Sequence, residues 1–272
     1  MLRGVTGLFG KFFADRGTHL AAMIAYFALL SFLPLTFIAL ALLTFADRPD
    51  ESSYLVTELQ AVFPASSVDQ IVRAVEAVQD NARTLGVVGA VTLLWSSLSL
   101  FSVLESAFNI VYGRPNRPFL HGKALAIVYM VSALIVLFAG LTVGTIGRVL
   151  LERFASGFIA NSAVAWTVSL LISTVAAFAF CATAYQRLTN VRLEWRDVVP
   201  GAAVAAIALQ ATFQTLPLFL RYTREVVALQ ALGTSALLLV WLYVMANVIV
   251  FGAEVNFWLG RGRREEEVAG LA

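Results

Sequence analysis

The chain has 272 residues, 60% of them hydrophobic and 13% charged, with a formal net charge of +2. A soluble domain carries roughly a quarter charged residues and about 45–50% apolar ones, so too little polar surface is present here to coat a water-soluble globule. The small net charge also leaves no electrostatic footprint for a nucleic-acid partner.

Residues 1–19 come first. Val5, Leu8, Phe9, Phe12 and Phe13 share one helical face, with Lys11 and Arg16 beside it. This pattern predicts a helix lying in the membrane interface. Gly4, Gly7 and Gly10 work against it by lowering helix propensity.

Residues 20–260 hold six apolar stretches: Leu20–Phe45, Leu85–Leu104, Ala124–Ile146, Ala163–Tyr185, Val198–Leu220 and Leu232–Leu259. Each reaches the roughly 20 residues a helix needs to cross about 30 Å of hydrocarbon. Glu254 is the only charged residue inside them. In lipid every backbone group must bond within the protein, which favours helices. A barrel would alternate apolar and polar residues in segments of about ten, whereas runs such as Ala39-Leu40-Ala41-Leu42-Leu43 do not alternate. The first run, 26 residues long, also exceeds the roughly 7–15 of a cleaved signal peptide. The expected fold class is therefore an all-α polytopic membrane protein with six transmembrane helices.

The loop over residues 46–83 carries a capping-box pattern, Ser67-Val68-Asp69-Gln70. Val68, Ile71, Val72, Val75 and Val78 follow on one face of a predicted helix. It either caps the bundle or gates a path. Residues 261–272 read as a basic anchor, Arg261, Arg263 and Arg264, followed by an acidic, unstructured end.

Lys and Arg flanking the spans set orientation. Twelve lie on the side holding both termini and seven on the other, so both termini are expected in the cytoplasm. Cys181 is the sole cysteine and forms no intrachain disulfide.

Small residues mark packing seams: Gly140 and Gly144, then Ser169, Ser173 and Ala177, then Gly201 and Ala205. Polar residues inside spans are costly unless paired or hydrated, which makes them the candidate site. Gln210, Gln214, Pro217 and Arg221 recur at i, i+4, i+7 and i+11, on one helix face. They either bond between helices or line a substrate path. Tyr26, Ser31 and Pro34 lie in the first span, and the two prolines each remove a backbone donor. Glu105 and Asn109 follow the second apolar stretch, and Asn247, Glu254 and Asn256 lie in the last. Both carboxylates fall near helix ends, where the dipole disfavours them. They are expected to pair with Arg114, Arg117 or Arg261; the alternative is a proton or cation site.

Ala25-Tyr-Phe-Ala-Leu-Leu-Ser-Phe-Leu-Pro-Leu35 resembles the first-span signature of the YihY/BrkB family of bacterial inner-membrane proteins. Leu94-Trp-Ser-Ser97 through Glu105-Ser-Ala-Phe-Asn109, Pro200-Gly-Ala202, and Leu239-Val-Trp-Leu-Tyr243 through Gly252-Ala-Glu-Val-Asn256 resemble it in order. Phe27 stands where a second Tyr is common. The resemblance covers about residues 15–260 and implies six helices, cytoplasmic termini and the inner membrane. The family once carried a ribonuclease BN label.

The expected function is a transporter or envelope-lipid-handling protein, with membrane lipids as partners and a small molecule or lipid as substrate. The alternative is a scaffold acting through the outer loop. An enzyme, the ribonuclease, ranks last: His19 and His121 sit in no ligand-spaced motif, and the inner loops hold no Asp/Glu cluster at metal spacing. No cofactor and no metal are expected.

Overall fold

The computed structural model describes residues 2–45, 56–57, 72–73, 86–132, 135, 162–225 and 233–269. Among them every regular element is a helix: α1 (Leu2–Ala14), α2 (Gly17–Phe45), α3 (Gly86–Val111), α4 (Phe119–Ser132), α5 (Ser162–Leu188), α6 (Trp195–Glu225) and α7 (Gly233–Ala269). The capping box at Ser67–Gln70 and the Gly140–Gly144 pair lie outside the described residues.

Leu170–Leu188, Trp195–Thr215 and Ala236–Gly260 are long and apolar enough to cross a membrane. Of the other three expected stretches, two form helices of 29 and 26 residues, α2 and α3, and the third contributes α4; their described residues include the apolar segments Gly17–Ser31, Leu98–Val111 and Phe119–Ser132. The last helix differs from expectation: α7 continues to Ala269, through the predicted unstructured tail. Glu265, Glu266 and Glu267 are good helix formers, and Glu265 and Glu267 stand four residues from Arg261 and Arg263, so helical continuation is locally favoured.

The chain divides into two compact units. The first comprises residues 1–27, 102–122 and 167–272. Its core is built from Leu20 and Ile24 of α2, Phe108 and Val111 of α3, Tyr185 and Leu188 of α5, Val198 and Ala205 of α6, and Val250 and Ala253 of α7. In the second unit, residues 28–101 and 123–166, Phe101 meets Tyr129 with ring centroids 6.4 Å apart, and the Lys123 ammonium lies 4.9 Å from the Trp95 ring.

The expected N-terminal helix forms as α1, and one of its glycines has a use. At Gly7 an added Cβ would meet the Trp258 indole at 2.8 Å or closer. The missing side chain thus lets α1 lie on α7, where Phe9 and Phe12 pack on Phe251 with centroids 5.3 and 5.9 Å apart. Helix α1 stops at Arg16, whose φ of 56° is left-handed. That conformation ends a helix, and the Asp15 amide accordingly returns to the Lys11 carbonyl at 2.8 Å.

Candidate functional site

The first unit gathers charged and amide side chains in its interior. Glu254 of α7 is fully buried, and its Oε2 accepts from Lys11 Nζ at 2.6 Å. The same ammonium pairs with Asp15, donates to the Val111 carbonyl at 3.0 Å and lies 4.2 Å from the Phe257 ring centre. Val111 ends α3, where carbonyls lack helical partners and the dipole is negative, so a cation there satisfies both. One lysine thereby ties α1, α3 and α7 together. Glu254 Oε1 is buried with no hydrogen-bond partner. Glu254 thus pairs with Lys11, a partner its helical position did not suggest, while the Arg261 side chain lies outside the described residues. Because α7 runs on to Ala269, Glu254 lies well inside the helix, and α1 delivers the cation from the side.

Arg117, in the α3–α4 connection, makes the second junction. It donates to Glu105 Oε1 at 3.0 Å, to the Leu188 carbonyl at 2.6 Å, to that of Thr189 at 2.8 Å and to that of Arg187 at 3.1 Å. The carbonyls belong to the C-terminal end of α5, so a planar guanidinium caps one helix while neutralising a carboxylate on another. An ammonium has no such fork. Arg117→Lys is expected to lose two or more of these bonds and about 1–3 kcal/mol of stability, read as a lower unfolding midpoint in detergent.

Asn109 is fully buried between these junctions. Its Oδ1 accepts from the Asn190 backbone amide at 2.6 Å and its Nδ2 donates to Asn116 Oδ1 at 3.1 Å. Asn116 then reaches Ser106 at 3.1 Å, and Asn190 Nδ2 reaches the Pro115 carbonyl at 3.0 Å.

Helices α6 and α7 approach closely through Gly201 and Gly252. The Gly201 amide donates to Asn256 Oδ1 at 2.6 Å, and Asn256 Nδ2 is buried with no partner. Tyr185, fully buried, donates to the Ile249 carbonyl at 2.7 Å and meets the Phe108 ring edge-on at 5.1 Å.

The predicted site residues thus separate into groups. Glu105, Asn109, Glu254 and Asn256 are buried in one unit and joined to partners on other elements. Gln210 accepts from Ser173 of α5 at 3.1 Å, an interhelical bond, while Gln214 is exposed. Asn247 Nδ2 bonds the Tyr243 carbonyl of its own helix at 2.7 Å. Tyr26 is exposed and meets Phe27 edge-on, and Ser31 is buried. Pro34 falls within α2, and Pro217 and Arg221 within α6; their side chains lie outside the described residues.

Sequence reasoning missed Lys11 as the partner of Glu254, and missed Asn190 and Tyr185 altogether. Lys11 alone carried a signal: it is one of only two lysines and stands beside the apolar face of its helix. Asn190 and Tyr185 resemble ordinary loop and span-end residues. Among the described residues no group of three or more His, Cys, Asp or Glu could hold a metal ion.

The profile of the family described as Virulence factor BrkB matches residues 8–271. A Bacillus subtilis protein named as ribonuclease-like, YfkH, is 24% identical over 269 residues, covering 94% of this chain and 95% of its own. A UPF0761 membrane protein of Cronobacter sakazakii is 27% identical over 259 residues, covering 94% of this chain and 88% of its own. Another, from Chromohalobacter salexigens, is 25% identical over 287 residues, and only 65% of its length is matched. No solved structure matches the chain.

Proposed function

Since this chain belongs to the BrkB family of membrane proteins, we propose that it is a six-span inner-membrane transporter or envelope-lipid-handling protein with both termini in the cytoplasm. The observation that carries this reading is Glu254, fully buried, ion-paired to a separate helix through one oxygen and left with the other unpartnered. A buried ion pair is a poor source of stability, because desolvating both charges offsets their attraction. An ionisable group kept within an apolar helix is better accounted for by a working role. Lys11 and Arg117 each bridge a carboxylate and the end of another helix, an arrangement suited to opening and closing the cytoplasmic end of a path. Gln210 and Gln214 are the polar groups that continue it along α6.

The twelve-to-seven bias of basic residues supports the orientation. Single cysteines placed at either end are expected to react from the cytoplasmic face alone.

Proteoliposomes test the function in two arms. One follows dithionite reduction of a fluorescent nitrobenzoxadiazole phospholipid, and the other follows swelling in isosmotic small solutes. Activity above protein-free vesicles is expected in one arm, with Glu254→Gln or Glu105→Gln lowering it at least tenfold. Inactivity in both arms, with both variants also functioning normally in cells, would transfer the reading to a scaffold. The proposed protein is not an enzyme. RNA cleavage that survives repurification and stays with the protein would overturn that part.

A further inference from the structure

Two connections of the first unit, 112–118 between α3 and α4 and 189–194 between α5 and α6, are bound into one surface. Asn190 bonds Pro115 and Asn109, and Arg117 bonds the carbonyls of Arg187, Leu188 and Thr189. Arg114, Arg187 and Arg192 are left exposed, each within two residues of a group in that network. Glu194 is the one acid in residues 112–118 and 189–194, against three arginines there, and the Asp197 carboxylate accepts from the Glu194 backbone amide at 3.1 Å, as the third residue of a helix does in a capping box.

Large apolar side chains border the same surface. Phe119 and Leu120 open α4 and are 64% and 78% exposed, and Trp195 opens α6 at 53%. Exposed apolar side chains in water carry a cost, and aromatic rings are favoured at the level of lipid headgroups. Guanidinium groups bind phosphate oxygens in bidentate fashion. A free phosphate ion has no use for the apolar trio, whereas a phospholipid occupies both kinds of group at once.

We propose that this surface binds anionic phospholipid headgroups, with Arg114, Arg187 and Arg192 on the phosphates and Phe119, Leu120 and Trp195 at the acyl boundary. Negatively charged lipids attract such basic clusters beside membrane helices. The surface does not depend on what the protein transports, so it stands or falls separately from the transport reading.

Native mass spectrometry of the full chain, released from detergent with phosphatidylglycerol or phosphatidylcholine added, tests it. Phosphatidylglycerol is expected to bind about tenfold more tightly than phosphatidylcholine. Substituting all three arginines, R114Q/R187Q/R192Q, should remove that preference while the unfolding midpoint holds, because the side chains are exposed. Should the triple variant fail to fold, the single substitutions are read instead, each reducing the preference in part. Inorganic phosphate at millimolar levels should not displace the lipid. The proposal is overturned by equal binding of the two lipids, by an unchanged preference after arginine removal, or by displacement with phosphate alone.

Discussion

Lys11→Met should lower the unfolding midpoint in detergent further than any other single change at the helix ends. It leaves Glu254, with 0% side-chain exposure, paired through neither oxygen, and it removes the cation from the Val111 carbonyl and the Phe257 ring. Breaking a buried pair from one side costs about 3–5 kcal/mol, most of it the penalty of an uncompensated charge. Removing both charges is different in kind. In Lys11→Met with Glu254→Leu, two apolar side chains replace the pair, and most of the stability should return. A double-mutant cycle measures this directly. Losses that simply add would show that the two residues are not coupled and would remove the basis for the cytoplasmic closure.

Gly252→Ala should be the most damaging conservative change in the helix packing. Its new Cβ would sit 2.8 Å from the Gly201 carbonyl oxygen and 2.9 Å from Ala205 Cβ, with the Tyr185 hydroxyl closer still. A backbone oxygen cannot swing aside as a flexible side chain would, so α6 and α7 must separate. Overpacking typically costs about 1–3 kcal/mol, and here the shift also stretches the Gly201–Asn256 bond. Gly201→Ala meets the Gly252 carbonyl and Asn256 and should behave alike. Gly10→Ala is the control. Nothing lies within 4 Å of its Cβ, so it should gain up to about 1 kcal/mol from helix propensity. Equal midpoints for the Gly252 and Gly10 variants would sink the close-packing account.

These two contacts also show how far the sequence was legible. Gly201 and Ala205 were readable as a seam because small residues at four-residue spacing allow helices to approach. Their partner was not, since Gly252 lies in another helix and no local pattern couples the two. Glu105 was readable as needing a cation, and Arg117, twelve residues away, was among the arginines named for it. Glu254 was readable as anomalous, being the one charge in six apolar stretches. Its pairing with Lys11, 243 residues away, was not. The polar stripe of α6 was legible as a face but not as a set of bonds: Gln210 finds Ser173, whereas Gln214 is exposed.

The sequence by itself determined the membrane class, the helical elements and the positions of the costly polar residues. Apolar run length, proline and charge placement are local properties, and the solvent they demand follows directly from the transfer cost of each residue. Tertiary structure alone decided which cation reaches which carboxylate, which glycines meet and which buried oxygen is left over. Those outcomes depend on distances of a few ångströms between helices remote in the chain, and a linear pattern of residue types does not contain them.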